Sequence, residues 1–500
     1  MSGLKIILPA PCAFILSRLH ENGFEAYAVG GCVRDSLLHK TPHDWDITTA
    51  AKPEKIIELF SDIPVLETGL KHGTVTLLTD HEPYEVTTFR VDGDYTDGRH
   101  PDSVAFTTDI RDDLARRDLT INAMAYSPAT GIIDPFGGQE DLKNEIIRCV
   151  GDPHKRFSED ALRLMRTIRF AAVLGLTVEP ETLRAVHDLH ETIGRVAKER
   201  IFTELLKTVC APYAAEALRA APELFFCAVP QLKNLKDVPQ NSKYHMYDVW
   251  EHTLHALESI GTDDPIACLA ILFHDVGKKA VRTTGEDGYD HFFGHAEKSA
   301  AFTDEALRAL HCDNKTRENV AELVLLHDTA FPKRTAKFRR LLAKLGYEQF
   351  YRLLTVSRAD NLAHAPWCIE GRCKALADAK SEAEALQKAD FCFSLRQLKI
   401  TGKDLQAFGF QGKAIGETLN KLLDAVLCGQ LPNDREVLLL HLERYTQKHK
   451  ESANRAARSF SETARFFRPL LICIVKAEAD TDGFVDALHG VVIELAHFFF

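Results

Sequence analysis

The chain has 500 residues, enough for several domains. Its 45% hydrophobic and 27% charged residues are ordinary for a soluble globular protein, and a net charge of -11 excludes a uniformly basic coat while leaving room for local basic grooves that could take RNA. No leader pattern or long uncharged apolar span is visible and the twelve cysteines form no C-x-x-C pair, so a cytoplasmic protein with reduced thiols is expected.

Residues 1–23 read as a helix with Phe14, Ile15 and Leu19 on one face and Gly23 as its stop. A short apolar strand from Tyr27 to Val29 runs into Gly30-Gly31, and a helix starting near Cys32 carries Arg34 and Asp35. A second strand then presents Asp44 and Asp46. Side chains two apart on a strand share a face, so both carboxylates aim at one spot. Such a pair suits a hard divalent cation, with Mg2+ the first choice. The glycines allow close approach of a phosphate, and the following helix N-terminus favours negative charge. Each half alone is weak, since D-x-D is more often a solvated edge and G-G more often a turn. Together they indicate nucleotidyl or phosphoryl transfer.

Further along, Pro53 opens a helix through Phe60, and Thr74–Thr79 and Tyr84–Val91 read as strands around a D-H-E-P turn. The second of these offers Glu85 as a third carboxylate. Residues 92–103 (D-G-D-Y-T-D-G-R-H-P-D-S) read as a loop. In D-L-A-R-R-D-L-T-I-N-A, Arg116, Arg117 and Asp118 combine forked donors suited to phosphate with an acceptor suited to a ribose hydroxyl. Residues 156–170 read as one helix capped by Ser158, with Asp160, Arg163, Arg166 and Arg169 along a ridge. That ridge is an exposed ion-pair row or a mixed donor and acceptor edge for a base. Residues 196–209 form an amphipathic helix whose core face is Ile201, Leu205 and Val209.

These motifs resemble, from about residue 24 to 445, the class II tRNA nucleotidyltransferases, which include CCA-adding enzymes and bacterial poly(A) polymerases. The resemblance implies an α+β protein: a polymerase-β-like nucleotidyltransferase head followed by a long helical neck, an HD domain and a C-terminal body and tail. The expected parts are the head at 1–150, a neck at 151–235, the HD domain at 236–365, a tRNA-binding body at 366–450 and an unassigned extension at 451–500. It also implies catalysis at Asp44, Asp46 and Glu85, with Mg2+ on the first two. Nucleotide binding falls to Gly30, Gly31, Arg34, Arg117, Asp118, Asp160, Arg163, Arg166 and Arg169, where Asp160 and Arg163 within E-D-x-x-R would template the incoming base. The D-G-R-x-P loop would serve the switch from C to A addition.

A second constellation places His252, His274-Asp275, His295, His327 and Asp360 in the order of an HD-type metal site. Imidazole and carboxylate together suit Mg2+, Mn2+, Ni2+ or Co2+, and could support a phosphohydrolase. The alternative is a decayed domain that keeps its ligands without activity. The expected activity of the whole is addition of C, C and A to tRNA from CTP and ATP. Poly(A) or A-only addition, or a phosphohydrolase working mainly through the second site, are the competing readings.

Overall fold

The computed structural model describes residues 5–67, 69–79, 82–93, 103–331, 335–448 and 451. Residues 94–102 of the loop expected over 92–103, and 452–500 of the extension expected over 451–500, lie outside the described residues. Among the described residues, no helix is long and apolar enough to cross a membrane.

The chain opens with α1 (Ala10–Glu21), which buries Cys12, Ile15, Leu16 and Leu19 and stops before Gly23 at φ 82°. Phe14, expected on that buried face, is 41% exposed instead and meets Phe60 edge-on at 6.4 Å. Strand β1 (Ala26–Val29) is buried along its whole length because it lies inside the sheet. It pairs antiparallel with β2 (Asp46–Thr49) on one side and β8 (Ala125–Ser127) on the other. Helix α2 (Gly31–Leu37) follows β1 directly, and α3 (Pro53–Leu59) follows β2. With β3 (Val65–Leu66), β4 (Thr74–Thr79), β5 (Glu82–Thr88) and β9 (Gly131–Ile133), these strands form a seven-stranded sheet of order β3-β4-β5-β2-β1-β8-β9. Only β2 and β5 run parallel within it.

The strand expected over Tyr84–Val91 is broken at Phe89. That residue is fully buried, and its amide donates to Thr49 O at 2.7 Å. The chain then turns away, and β6 (Arg90–Asp92) pairs with β7 (Val104–Phe106). Helix α4 (Ile110–Ala115) is capped by Asp109, whose side chain accepts the Arg111 amide. Leu114, Phe89, Tyr27, Val29 and Val150 share one core cluster, so the α4 end, β1 and the β5–β6 break are fixed to each other. Helix α5 (Gly138–Lys143) and β10 (Ile146–Ile147) complete this region.

The expected single helix over 156–170 is two helices. Asp152 caps α6 (Pro153–Glu159), with Pro153 in the first turn, so that helix begins well before Ser158. Ser158 lies inside it and donates back to His154 O at 2.8 Å. Asp160 is extended at φ -143°, ψ 105°, and its carboxylate accepts the Leu162 amide where α7 (Leu162–Leu174) starts. Asp160 and Arg163 therefore do not share one helical ridge.

From here the chain is mainly helical: β11 (Thr177–Val178), α8 (Pro180–Leu189), α9 (Lys198–Val209), α10 (Ala214–Ala220), α11 (Pro222–Ala228), α12 (Val249–Glu258), α13 (Pro265–Phe273) and α14 (Lys278–Val281). The two-residue strands β12 (Thr283–Thr284) and β13 (Asp290–His291) pair with each other before α15 (His295–Ala309) and α16 (Asn314–Leu326). Then come α17 (Ala336–Leu362), α18 (Pro366–Lys388), α19 (Gly402–Ala407) and α20 (Lys413–Leu427). Ile201, Leu205 and Val209 of α9 are buried, and every residue of α13 from Ala267 to Phe273 is buried. An apolar run without a polar face has no side to leave in water, so helices cover α13 all round.

The described residues fall into two compact units, one within 1–331 and 346–381, the other within 332–345 and 382–500. The boundary inside α17 is Gly346, at φ 71° and ψ 170°, a conformation that glycine alone adopts freely. The second unit is built around Leu398, Ile400, Leu405, Leu422, Val426 and Leu438, with Arg340 paired to Asp424 through two hydrogen bonds.

Candidate functional sites

The first site lies where β1, β2, β5 and the segment after α4 meet. Gly30 ends β1 at φ 82°, ψ -127°, which side chains exclude. A Cβ there would stand 2.8 Å from Arg117 Nη1, so glycine also makes room for that guanidinium. Arg117 is oriented by Asp113, fully buried, whose carboxylate lies 3.8 Å from Arg117 Nη2 and takes two hydrogen bonds from Arg116 at 2.9 and 2.8 Å.

Asp46 is the first residue of β2, but Asp44 lies in the coil just before it, so the two do not share a strand face as expected. Glu85 faces Thr76 across β4 and β5, beside the β2 register. Among the described residues, none of the three carboxylates makes a hydrogen bond or an ion pair, and all three reach solvent. They still sense each other. The protein packed around Asp46 pushes its carboxyl up, Arg117 opposes that shift and Asp44 adds to it. Glu85 is pushed up by its surroundings, then by Asp46 and Asp44. Uncompensated oxygen donors around one point fit a hard divalent cation. Their spread is wider than that of the histidine site below, where triads of ligand atoms lie within 4.8 Å of one another.

The arginines behind this spot are held firmly. Burial would push the Asp118 carboxyl up, but Arg166, with Nε 2.7 Å away, and the Asn122 amide hold it down at about 2. Arg34 donates to Asn122 Oδ1 at 2.6 Å and to Asp35 at 2.8 Å. Arg169 pairs with Glu204 at 2.6 Å. The guanidinium carbons of Arg34, Arg166 and Arg169 lie 5.0, 5.5 and 4.0 Å from the Phe170 ring centre, so one aromatic ring gathers three cations. Arg163 pairs with Glu159 at 2.6 Å and donates to the carbonyls of Arg156 and Arg116. Asp160 pairs with Arg200 of α9 at 2.8 Å.

Gly30, Asp44, Asp46, Glu85 and Arg117 are thus brought together, as are Arg34, Asp118, Arg166 and Arg169. Asp160 and Arg163 are each tied to a different partner. Sequence reasoning passed over Asp113, Phe170, Arg200 and Glu204. Asp113 carried a signal in its i,i+3 and i,i+4 spacing to Arg116 and Arg117; the contacts from α9 carried none.

The second site is a buried cluster in the same unit. His252 Nε2 lies 2.9 Å from Asp360 and 3.6 Å from Asp275. His274 Nε2 lies 3.1 Å from Asp275 and 3.6 Å from Asp360. His295 and His327 stand 3.7 and 3.9 Å from the other Asp275 oxygen. All six expected residues therefore meet. His364, which sequence reasoning missed, joins them with Nδ1 3.7 Å from Asp360, and its spacing of four from that acid was the available clue.

The imidazoles are oriented from behind. The Nδ1 atoms of His274, His327 and His295 face the carbonyls of Ile271, Val324 and Phe292 at 2.7, 2.7 and 3.0 Å. Protonated Nδ1 atoms donate to these carbonyls and leave Nε2 to point inward, as outer partners of a metal-binding histidine do. His295 Nε2 and His327 Nε2 then face one another at 3.2 Å, an arrangement that needs a positive charge nearby. Burial lowers His327 to about 4, which keeps it neutral and able to ligate. Burial also opposes the charged form of His274, yet Asp275 and Asp360 raise it to about 10, so the acids call for a cation. Both Asp275 oxygens and His274 Nε2 are buried without a well-directed hydrogen bond, although Lys278 Nζ lies 2.6 Å from Asp275. The donor set fits a divalent metal. It opens into a cavity of about 510 Å3 bordered by Lys243, Lys278 and Arg372.

The poly(A) polymerase head-domain family matches residues 26–148, which contain Gly30, Asp44, Asp46, Glu85 and Arg117. The RNA and SrmB-binding site of polymerase A matches 175–225, and the second tRNA nucleotidyltransferase domain matches 284–442. Three family models of poly(A) polymerase and tRNA nucleotidyltransferase parts thus match successive stretches of this chain. The chain is 49% identical over 205 residues to a CCA-adding enzyme of Lactobacillus helveticus, covering 41% of this chain and 51% of that one. It is 42% identical over 245 residues to that of Oceanobacillus iheyensis, covering 49% and 59%. The chain thus spans between half and three fifths of these curated relatives. A CCA-adding enzyme of Bacillus stearothermophilus, solved in complex with CTP, superposes with a TM-score of 0.68 at 28% identity, covering 89% of this chain and all of that one.

Proposed function

We propose that this chain is a cytoplasmic enzyme that adds C, C and A to tRNA 3′ ends, using CTP and ATP and no nucleic-acid template. The observation that carries the reading is the grouping of unpaired Asp44, Asp46 and Glu85, with Asp46 facing Arg117 beside Gly30, in a stretch that matches the poly(A) polymerase head-domain family. Asp44 and Asp46 would hold Mg2+, with Glu85 as a third acid. Bound Mg2+ supplies charge stabilisation to the attacking and departing oxygens of an in-line displacement. Gly31, Arg34 and Arg117 take the triphosphate, because guanidinium forks match phosphate oxygens. Asp118 serves the ribose, with Arg166 and Arg169 holding the rest of the nucleotide.

Asp160 and Arg163 read the base edge. A carboxylate has roughly four acceptor sites, and Arg200 with the Leu162 amide leaves Asp160 spare capacity. Their ion pairs act as splints that fix each group before the base arrives. In functional terms the head is 1–150, the neck 151–235, the histidine domain 236–365 and the tRNA-binding body 366–450.

The test is tRNA ending before CCA, incubated with CTP and ATP singly and together. Stepwise C, C and A incorporation supports the reading. A-only addition or long A tracts point to the alternatives within the family, and no incorporation refutes all three. Asp46→Ala, at an exposed position, should abolish incorporation and leave the circular dichroism spectrum unchanged.

A second activity is favoured by the orphaned Asp275 and His274 atoms. The histidine site would hold Mg2+, Mn2+, Ni2+ or Co2+ and hydrolyse phosphomonoesters or 2′,3′-cyclic phosphates. A divalent cation there supplies Lewis acidity and lowers the pKa of water. Lys243, Lys278 and Arg372 would receive the anionic substrate.

A further inference from the structure

We infer that the mouth of the histidine cavity carries a base-stacking subsite, built on Phe293 with Tyr289 and the Tyr244–Trp367 pair, which selects a phosphorylated nucleotide over a simple phosphate ester. The catalytic consequence rests on the hydrolase reading above; the subsite itself stands on the geometry of the mouth.

Phe293 is 80% exposed, the most exposed aromatic among the described residues. It stacks on His291 with ring centres 5.4 Å apart and planes within 5°, so one face of a fixed ring is presented to solvent. Gly294, at φ 75°, turns the chain directly into α15, whose first residue is His295. One turn therefore sets both an inward-facing histidine and an outward-facing platform. Tyr289, also exposed, lines the same cavity. On another stretch of the wall, Tyr244 lies 5.3 Å from Trp367, whose indole is 62% exposed and donates to Lys243 O at 3.1 Å. Three exposed aromatic rings, Phe293, Tyr289 and Tyr244, thus line one opening, and Trp367 packs beside Tyr244.

Cations accompany them. Lys243 Nζ and the Arg372 guanidinium lie 5.2 and 5.8 Å from the Tyr244 ring centre, and Lys278 lies deeper. Aromatic faces beside cations, above a metal-fitting floor, match a flat base joined to a phosphate. A peptide side chain would not use the floor. A cavity of about 510 Å3 is of the size that takes one nucleotide.

The test uses the full chain and the fluorescence of Trp367, since Trp45 and Trp250 are buried and a Trp367→Phe control removes the local signal. The probes are adenosine 3′-monophosphate, a tetraribonucleotide ending in a 3′-phosphate, and inorganic phosphate as competitor. Phe293→Ala should weaken both nucleotide probes by roughly 5- to 100-fold, the range for losing one base stack. Phe293→Trp should restore them, and inorganic phosphate should compete equally against all variants. A response confined to the tetranucleotide assigns the subsite to RNA ends; an equal response of both probes assigns it to nucleotides in general. Nucleotide affinity unchanged in Phe293→Ala, or a parallel loss for phosphate, overturns the inference. If the wild type hydrolyses no phosphate ester yet binding depends on Phe293, the hydrolase reading falls and the subsite stands.

Discussion

Replacing Asp118 by Asn tests the electrostatic core behind the first site. The exchange keeps the side-chain shape and removes one charge from a pair with Arg166 at 2.7 Å, in which Asp118 is only 8% exposed. Holding the carboxyl at about 2 instead of 3.8 corresponds to about 2 kcal/mol of native-state stabilisation at pH 7. The Arg166 side chain is about a third exposed, which trims the Coulomb part. The new amide must set its NH2 against either Arg166 Nε or the Leu119 and Asn122 N–H groups, adding about 1–2 kcal/mol. A loss of about 2–4 kcal/mol at pH 7 is expected. A depressed carboxylate contributes fully above its unfolded pKa and loses that contribution as pH falls toward the folded one. At pH 3 the charge-dependent part therefore shrinks to about 1 kcal/mol. Hydrogen exchange of the α7 amides, compared between wild type and variant at both pH values, reads this locally. A difference below about 0.5 kcal/mol at pH 7, the size of an ordinary surface substitution, would refute the argument. So would an equal difference at both pH values.

Gly30→Ala should cost about 1–3 kcal/mol through backbone strain and displace Arg117, seen as a fall in CTP affinity larger than the loss of stability explains. Arg163→Ala should blur discrimination among CTP, ATP, UTP and GTP more than it weakens tRNA binding; altered tRNA affinity with intact base choice would place Arg163 on the RNA backbone. Arg200→Ala should do the same more mildly, since it frees Asp160 to move, and Arg200→Lys should partly restore base choice. The double change His274→Ala, Asp275→Ala should abolish hydrolysis of phosphomonoesters and cyclic phosphates while nucleotide addition to intact tRNA continues. Loss of both activities in a folded variant would show that the two sites are not independent.

Local sequence alone determined much of this protein. Glycine at position 30 and acids at 44 and 46 need no distant partner to be noticed, because their backbone freedom and charge are intrinsic. The apolar run of α13 and the periodic Ile201, Leu205 and Val209 announce burial in the same way. Only tertiary structure decided where the arginines point. Asp160 looked like part of a helical ridge, yet the cap at Asp152 and the extended backbone at Asp160 split that helix and turned the acid toward Arg200. Phe170 carried no sign of its role in the sequence, yet three guanidinium groups from α2 and α7 gather around it. Arg200 and Glu204, paired with Asp160 and Arg169, were silent for the same reason. Hydrogen bonds and ion pairs between residues tens of positions apart leave no periodic trace in a sequence, because chain folding rather than spacing brings them together.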